Sequence, residues 1–164
     1  MNFKFIPAQL EDLAKIVEIY NWAVLNTTAT FDTETKTVES RINWFHDHTP
    51  DFPLYVIKNE NNEVCAWGSL TKWSERKAYD ICAEVSFYVD PKAHGNGLGT
   101  YVLKELIKLG QRTNKKNLIS RITSESSVSL HLHHKLGFQE IGIMKQCGIK
   151  FNRVLDVNLL QYLY

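Results

Sequence analysis

With 164 residues, 44% hydrophobic and 23% charged, the chain has the composition of a soluble globular protein. Its length suits one domain, residues 1–164, with a substantial core. A net charge of +1 provides no basic field for nucleic acid, and no apolar run is long enough to span a membrane. The N-terminus carries no apolar signal core. Cys65, Cys82 and Cys147 are odd in number and widely spaced, which suits reduced, buried thiols in a cytoplasmic protein better than a disulfide framework.

In chain order, Phe3–Ile6 reads as a short strand closed by Pro7. Leu10, Leu13, Ile16 or Val17, Tyr20 and Val24 then recur at helical spacing, with Glu11, Asp12, Lys15 and Glu18 opposite. A threonine-rich segment from Asn26 to Thr37 follows, interrupted by Phe31. Val38–His48 is a second predicted helix, stopped by Thr49-Pro50. Leu54–Lys58 and Val64–Thr71 read as strands joined by the turn Asn59-Glu60-Asn61-Asn62. Val85, Phe87 and Val89 alternate with Ser86 and Tyr88, a strand ended by Pro91. Past Gly99 the spacing becomes helical, with Leu98, Val102, Leu106 and Leu109 in one stripe and Leu103 and Ile107 beside it. Leu118–Thr123 is a strand, Ser126–Leu136 a helix closed by Gly137, and Phe138–Met144 and Val154–Leu160 are the last strands. The sum is an α+β fold, a mostly antiparallel sheet with helices on both faces and one strand–helix–strand crossover.

The strand–glycine loop–helix unit from Glu84 to Leu109 carries the most chemistry. Glycines just ahead of a helix let successive N–H groups converge, and the helix dipole adds to them, so the natural occupant is a phosphate. Gly99-Thr100 lacks the lysine of a nucleotide triphosphatase loop. Gly95 and Gly97 fit the first two glycines of a dinucleotide fingerprint, but Thr100 stands at the third and the unit lies mid-chain. A third form, Arg/Gln-x-x-Gly-x-Gly/Ala, is matched by His94-Gly95-Asn96-Gly97-Leu98-Gly99 except at His94. A glycine-rich turn without a ligand remains a fourth reading.

That third form belongs to the GNAT N-acetyltransferases, and the chain resembles their phosphinothricin and methionine-sulfoximine branch over nearly its full length. The resemblance rests on Ile19-Tyr20-Asn21, Asn26-Thr27-Thr28-Ala29-Thr30-Phe31-Asp32, Arg76, Ala78-Tyr79, Glu84, Ser86, Leu132-His133, Lys135-Leu136-Gly137-Phe138, Gly148-Ile149-Lys150-Phe151 and Leu155-Asp156. It implies a GNAT-like sheet, acetyl-CoA as co-substrate, a small amino-acid-like amine as acceptor, and a homodimer. The pyrophosphate of the coenzyme would meet the main chain of His94, Gly95, Asn96, Gly97, Leu98, Gly99 and Thr100. Its pantetheine arm would pair with Phe87, Tyr88 and Val89 as an added strand. Ser126 and Lys135 would lie near the coenzyme. Four positions depart from the branch: His94 for Arg or Gln, Ser126 for Asn, and Asn152 and Val154 for Gly and Trp.

Acetyl transfer to an amine needs a base for the ammonium, a donor for the oxyanion and an acid for the thiolate. Glu84 is the candidate base, because a partly desolvated carboxylate is more basic than a hydrated one. A strand-end glutamate in solvent is its plainer reading. His133 stands where many GNAT enzymes place an acidic tyrosine, and an imidazolium there could protonate the thiolate; a satisfied helix histidine is the alternative. Arg76 and Tyr79 match branch positions that hold the substrate's acidic group, and Phe31 would wall the amine pocket. His131 and His134 are three apart, yet no cysteine or carboxylate joins them at ligand spacing, so no metal site is expected. Trp22, Trp44, Trp67 and Trp73 read as core or dimer interface. Two rivals stand beside this reading: acetylation of a protein N-terminus or lysine, and a non-catalytic coenzyme A-binding module.

Overall fold

The computed structural model describes residues 2–164. Its strands form one seven-stranded sheet in the order β1-β2-β3-β4-β5-β7-β6. β1 (Lys4–Pro7), β2 (Leu54–Lys58), β3 (Val64–Lys72) and β4 (Cys82–Val89) make an antiparallel half. β5 (Asn117–Thr123), β6 (Gln139–Lys150) and β7 (Arg153–Leu163) make the other. Among the described residues only β4 and β5 run parallel. The helix α3 (Leu98–Arg112) connects them, as a parallel crossover requires.

Four helices cover the two faces. α3 buries Leu98, Val102, Leu103, Leu106 and Leu109 against Leu70, Val85, Leu118 and Leu160, the stripe its spacing predicts. Each such side chain contributes roughly 1.5–3 kcal/mol on leaving water. α4 (Ser127–Lys135) lies beside α3. On the opposite face α1 (Leu13–Asn26) sets Ile16 and Ile19 on Leu54, Val56 and Trp67. Glycine at 68 on β3 is dictated by the packing of α3, since a Cβ would press on Leu106 and Phe87.

Three departures from the sequence reading have local causes. The helix expected over 38–48 is a 3-10 turn, Glu39–Arg41, followed by the short α2 (Ile42–His46). The last two strands are far longer than expected and form one hairpin. Its turn is made by Phe151 and Asn152, both left-handed at φ 51° and 57°, the conformation a two-residue hairpin needs but one seldom signalled without glycine. The thiols are not uniformly buried: Cys82 is, Cys65 is intermediate, and Cys147 is exposed.

Candidate active site

The split between the two halves of the sheet creates the site. β4 pairs with β3 from Ala83 to Val89, but with β5 only over Cys82–Asn117, Ala83–Leu118 and Glu84–Ile119. Beyond Glu84 the parallel strands diverge into a wedge. Asp90 donates from its backbone N to the Cys65 carbonyl at 2.8 Å. By the alternation of an antiparallel ladder, the backbone groups of Phe87 and Val89 therefore turn away from β3, into the wedge. The opening is a cleft of about 590 Å³, walled by β4 and β5 and roofed by α3, α4 and the end of α1.

At the open end of the wedge the chain turns left-handed at Gly95 (φ 80°) and Gly97 (φ 72°), a region open to glycine at little cost. Gly97 caps α3, whose first internal bond is Tyr101 N–H to the Gly97 carbonyl at 3.1 Å. The N–H groups of Leu98, Gly99 and Thr100 thus lack intrahelical partners, at the positive end of a 15-residue helix. These features fit a diphosphate at the loop and an extended amide-bearing arm along β4.

Most of the expected coenzyme residues meet here. Phe87, Tyr88, Val89, His94, Gly95, Gly97, Leu98, Gly99, Thr100, Ser126, His133 and Lys135 all line the cleft. Asn96 does not; it faces a separate depression shared with Lys15, Cys65 and Asp90. His94 turns its Nε2 to the Val89 carbonyl at 3.1 Å and stands edge-on to Trp22. Trp22 lines the cleft as well, against its expected place in the core or an interface.

His133 differs from expectation in its charge. It is 3% exposed, packed between Phe87 and Phe138. Burial lowers its pKa to about 4, more than the backbone hydrogen bond at Ser129 raises it. The ring is neutral at pH 7, and Nδ1 lies 2.8 Å from the Ser129 carbonyl, so that nitrogen carries the proton and donates. The imidazolium expected near neutral pH is not its form.

The α1 face of β4 is built from side chains. Glu84 is clamped by Arg121 of β5, with both guanidinium contacts at 2.7 Å. That bidentate bond, ahead of desolvation, raises the Arg121 pKa, and Trp73 lies 5.9 Å from the guanidinium. Farther along β4, Tyr88 meets Tyr20 edge-on. Tyr20 donates to Asp32 at 2.6 Å, and burial together with that carboxylate pushes its phenol up to about 12. Desolvation opposes the Asp32 charge, but hydrogen bonds from Tyr20 and Lys36 outweigh it and lower the Asp32 pKa.

The threonine-rich loop is tied to the far strands at three points. Thr28 and Thr123 share a hydrogen bond at 2.9 Å, Lys150 Nζ donates to the Thr30 carbonyl at 2.7 Å, and Phe31 lies on Gly148, where a Cβ would collide with its ring. Arg76 and Tyr79 sit exposed at the 3-10 turn before β4 and do not line the cleft. Among the described residues no group of three or more His, Cys, Asp or Glu could hold a metal ion. Arg121 escaped the sequence reading, and Lys150 entered it only within the matched run Gly148-Ile149-Lys150-Phe151. Arg121 has a signal only in hindsight: it lies two residues beyond Ile119, the register partner of Glu84, and so shares its face.

A cleft opened by diverging parallel strands, with a left-handed glycine loop before the crossover helix, defines an acyl-coenzyme A-type transferase fold. The sequence profile of the Acetyltransferase (GNAT) family matches residues 16–138, and the chain belongs to that family. It is 35% identical over 162 residues to the L-methionine sulfoximine/L-methionine sulfone acetyltransferase of Salmonella typhimurium, covering 98% of this chain and 93% of that one. The phosphinothricin N-acetyltransferase of Streptomyces coelicolor is 31% identical over 154 residues, covering 92% and 90%. Among solved structures, a GNAT superfamily phosphinothricin acetyltransferase from Sinorhizobium meliloti in complex with AcCoA superposes with a TM-score of 0.94. That pair is 30% identical, over 99% of this chain and 89% of that one.

Proposed function

We propose that the protein is an N-acetyltransferase that moves the acetyl group of acetyl-CoA to the amine of a small amino-acid-like substrate of the phosphinothricin, methionine sulfoximine or methionine sulfone type. The observation that carries the reading is the unpaired stretch of β4, with the backbone of Phe87 and Val89 facing the wedge. A strand edge of this kind takes an extended ligand by main-chain hydrogen bonds, and the free N–H groups at α3 suit its diphosphate. Acetyl-CoA supplies an activated acyl group held as a thioester.

In this reading Glu84 takes the ammonium proton, directly or through water, and Arg121 holds the carboxylate in place. A main-chain N–H of Phe87 or Val89 faces the developing oxyanion. Phe31, Tyr20 and Asp32 bound the amine side; Arg76 and Tyr79, on the exposed turn before β4, are assigned to the substrate's acidic group by the resemblance alone. His133, as a neutral ring, walls the coenzyme side. The names of the two sequence relatives above favour a small amine over a protein N-terminus, and Glu84, at the last pairing of β4 with β5, favours an enzyme over a non-catalytic module.

The reading extends to one domain, a homodimer and a cytoplasmic setting. The edge strand β6 exposes Ile141, Ile143 and Ile149, and β7 exposes Val154, a hydrophobic edge that supports pairing between copies. The three free cysteines are in keeping with a reducing compartment. Calorimetry with acetyl-CoA and a thiol-release screen of free amino acids, methionine sulfoximine, methionine sulfone, phosphinothricin and N-terminal peptides test the function. No heat with acetyl-CoA removes it; turnover of peptides alone transfers it to the protein-directed rival.

A further inference from the structure

We infer that the hydroxyl of Ser120 donates a hydrogen bond to the coenzyme's sulfur and stabilises the thiolate as it leaves. Ser120 is the first residue of β5 beyond its last pairing with β4, Ile119 with Glu84, so it stands at the apex of the wedge. It lines the cleft and is 2% exposed, yet its Oγ has no hydrogen-bond partner among the described residues. A buried hydroxyl left unpaired is unfavourable, and such a group calls for a reason. An arm that runs from the glycine loop along β4 brings its sulfur end to this apex, so the missing partner is a group on the coenzyme. Leu118 and Ile122, the neighbours of Ser120 on the same face of β5, are buried and apolar; they offer no competing acceptor.

The alternative donor is already committed. His133 lines the same cleft, but its Nδ1–H is held by the Ser129 carbonyl, and burial keeps the ring uncharged at neutral pH. The inference rests on the acetyl-transfer reading. As the amine nitrogen forms its bond to the acetyl carbon, the carbon–sulfur bond breaks and its electron pair stays on sulfur. The amine proton leaves through Glu84. Ser120 keeps its own proton and lends it as a hydrogen bond, so sulfur departs as a stabilised thiolate and is protonated from solvent.

The test compares Ser120→Ala with the unaltered full-length chain. The variant should bind acetyl-CoA within about twofold of wild type and lose about tenfold in kcat, one hydrogen bond to a charged group. A second readout needs no turnover: the ultraviolet absorbance of thiolate in bound CoA, titrated against pH, should move to higher pH in Ser120→Ala. Ser120→Thr, which keeps the hydroxyl, should leave that titration near wild type; it also serves should the alanine variant fail to fold, a shifted titration in folded Ser120→Thr then counting against the inference. An unchanged kcat with an unchanged thiol titration overturns the role of Ser120 while leaving acetyl transfer intact. Wild-type protein that fails to bind acetyl-CoA overturns the transferase reading and this inference together.

Discussion

Around the Gly95–Thr100 loop and along β4 the groups open to a ligand belong to the main chain: N–H groups freed by a helix start and an unpaired strand edge. Across the sheet, on the α1 face, they are side chains drawn from distant segments, Glu84 with Arg121 and Tyr20 with Asp32. On the proposed function the first region is fixed by backbone conformation, at left-handed Gly95 and Gly97. The second depends on particular side chains, so substrate choice can drift there without disturbing the coenzyme side.

Substitutions can be aimed at each half separately. The largest effect should come from Glu84→Gln, which keeps the shape of the side chain and removes its basicity. Its kcat should fall by about 10²–10⁴-fold with acetyl-CoA affinity unchanged in calorimetry; unaltered turnover would remove Glu84 as the base. Gly97→Val strikes the other half. A β-branched residue at φ 72° is strained and brings bulk to the diphosphate's approach. Acetyl-CoA affinity should drop by roughly 100-fold in protein that remains folded by circular dichroism, and retention of normal affinity refutes the main-chain cradle.

His133 gives an effect on stability rather than rate. Its folded pKa of about 4 lies below the ordinary histidine value of 6.5, so its neutral burial contributes fully above pH 6.5 and is lost as pH falls toward 4. Urea unfolding of wild type should weaken by about 2 kcal/mol from pH 7 to pH 5 on this account. His133→Phe should show that much less acid loss, and parallel pH slopes would contradict the neutral ring. The smallest effect is expected for Gly148→Ala, whose Cβ collides with Phe31. Shifting that ring should raise the amine KM roughly fivefold, about 1 kcal/mol, with the acetyl-CoA KM untouched; a change confined to acetyl-CoA would misplace Phe31.

What could be read from the sequence follows the same division. The stripe of α3 and the glycine loop were legible because each is dictated within a few residues, by helical spacing and by the conformation that glycine permits. Arg121 was not, since its meaning comes from a strand pairing with residues 37 positions away. The choice between the two readings of His133 lay out of reach for a similar reason: its burial between Phe87 and Phe138 is set by tertiary packing, not by its helix. The length of β6 and β7 was hidden by a turn of Phe151 and Asn152 that breaks the usual glycine habit. Arg76 and Tyr79 came from resemblance alone, and their exposed turn lies apart from the cleft.

Three residue pairs are all that stitch β4 to β5, so the sheet is hinged along its own middle, with α3 as the principal brace. A ligand inserted there acts as a splint between two half-sheets. The amides of Phe87 and Val89 should exchange with deuterium readily in the free protein and slow down once the wedge is filled. Resistance to heat should then climb with coenzyme concentration, in the logarithmic manner of any ligand that holds only the folded chain.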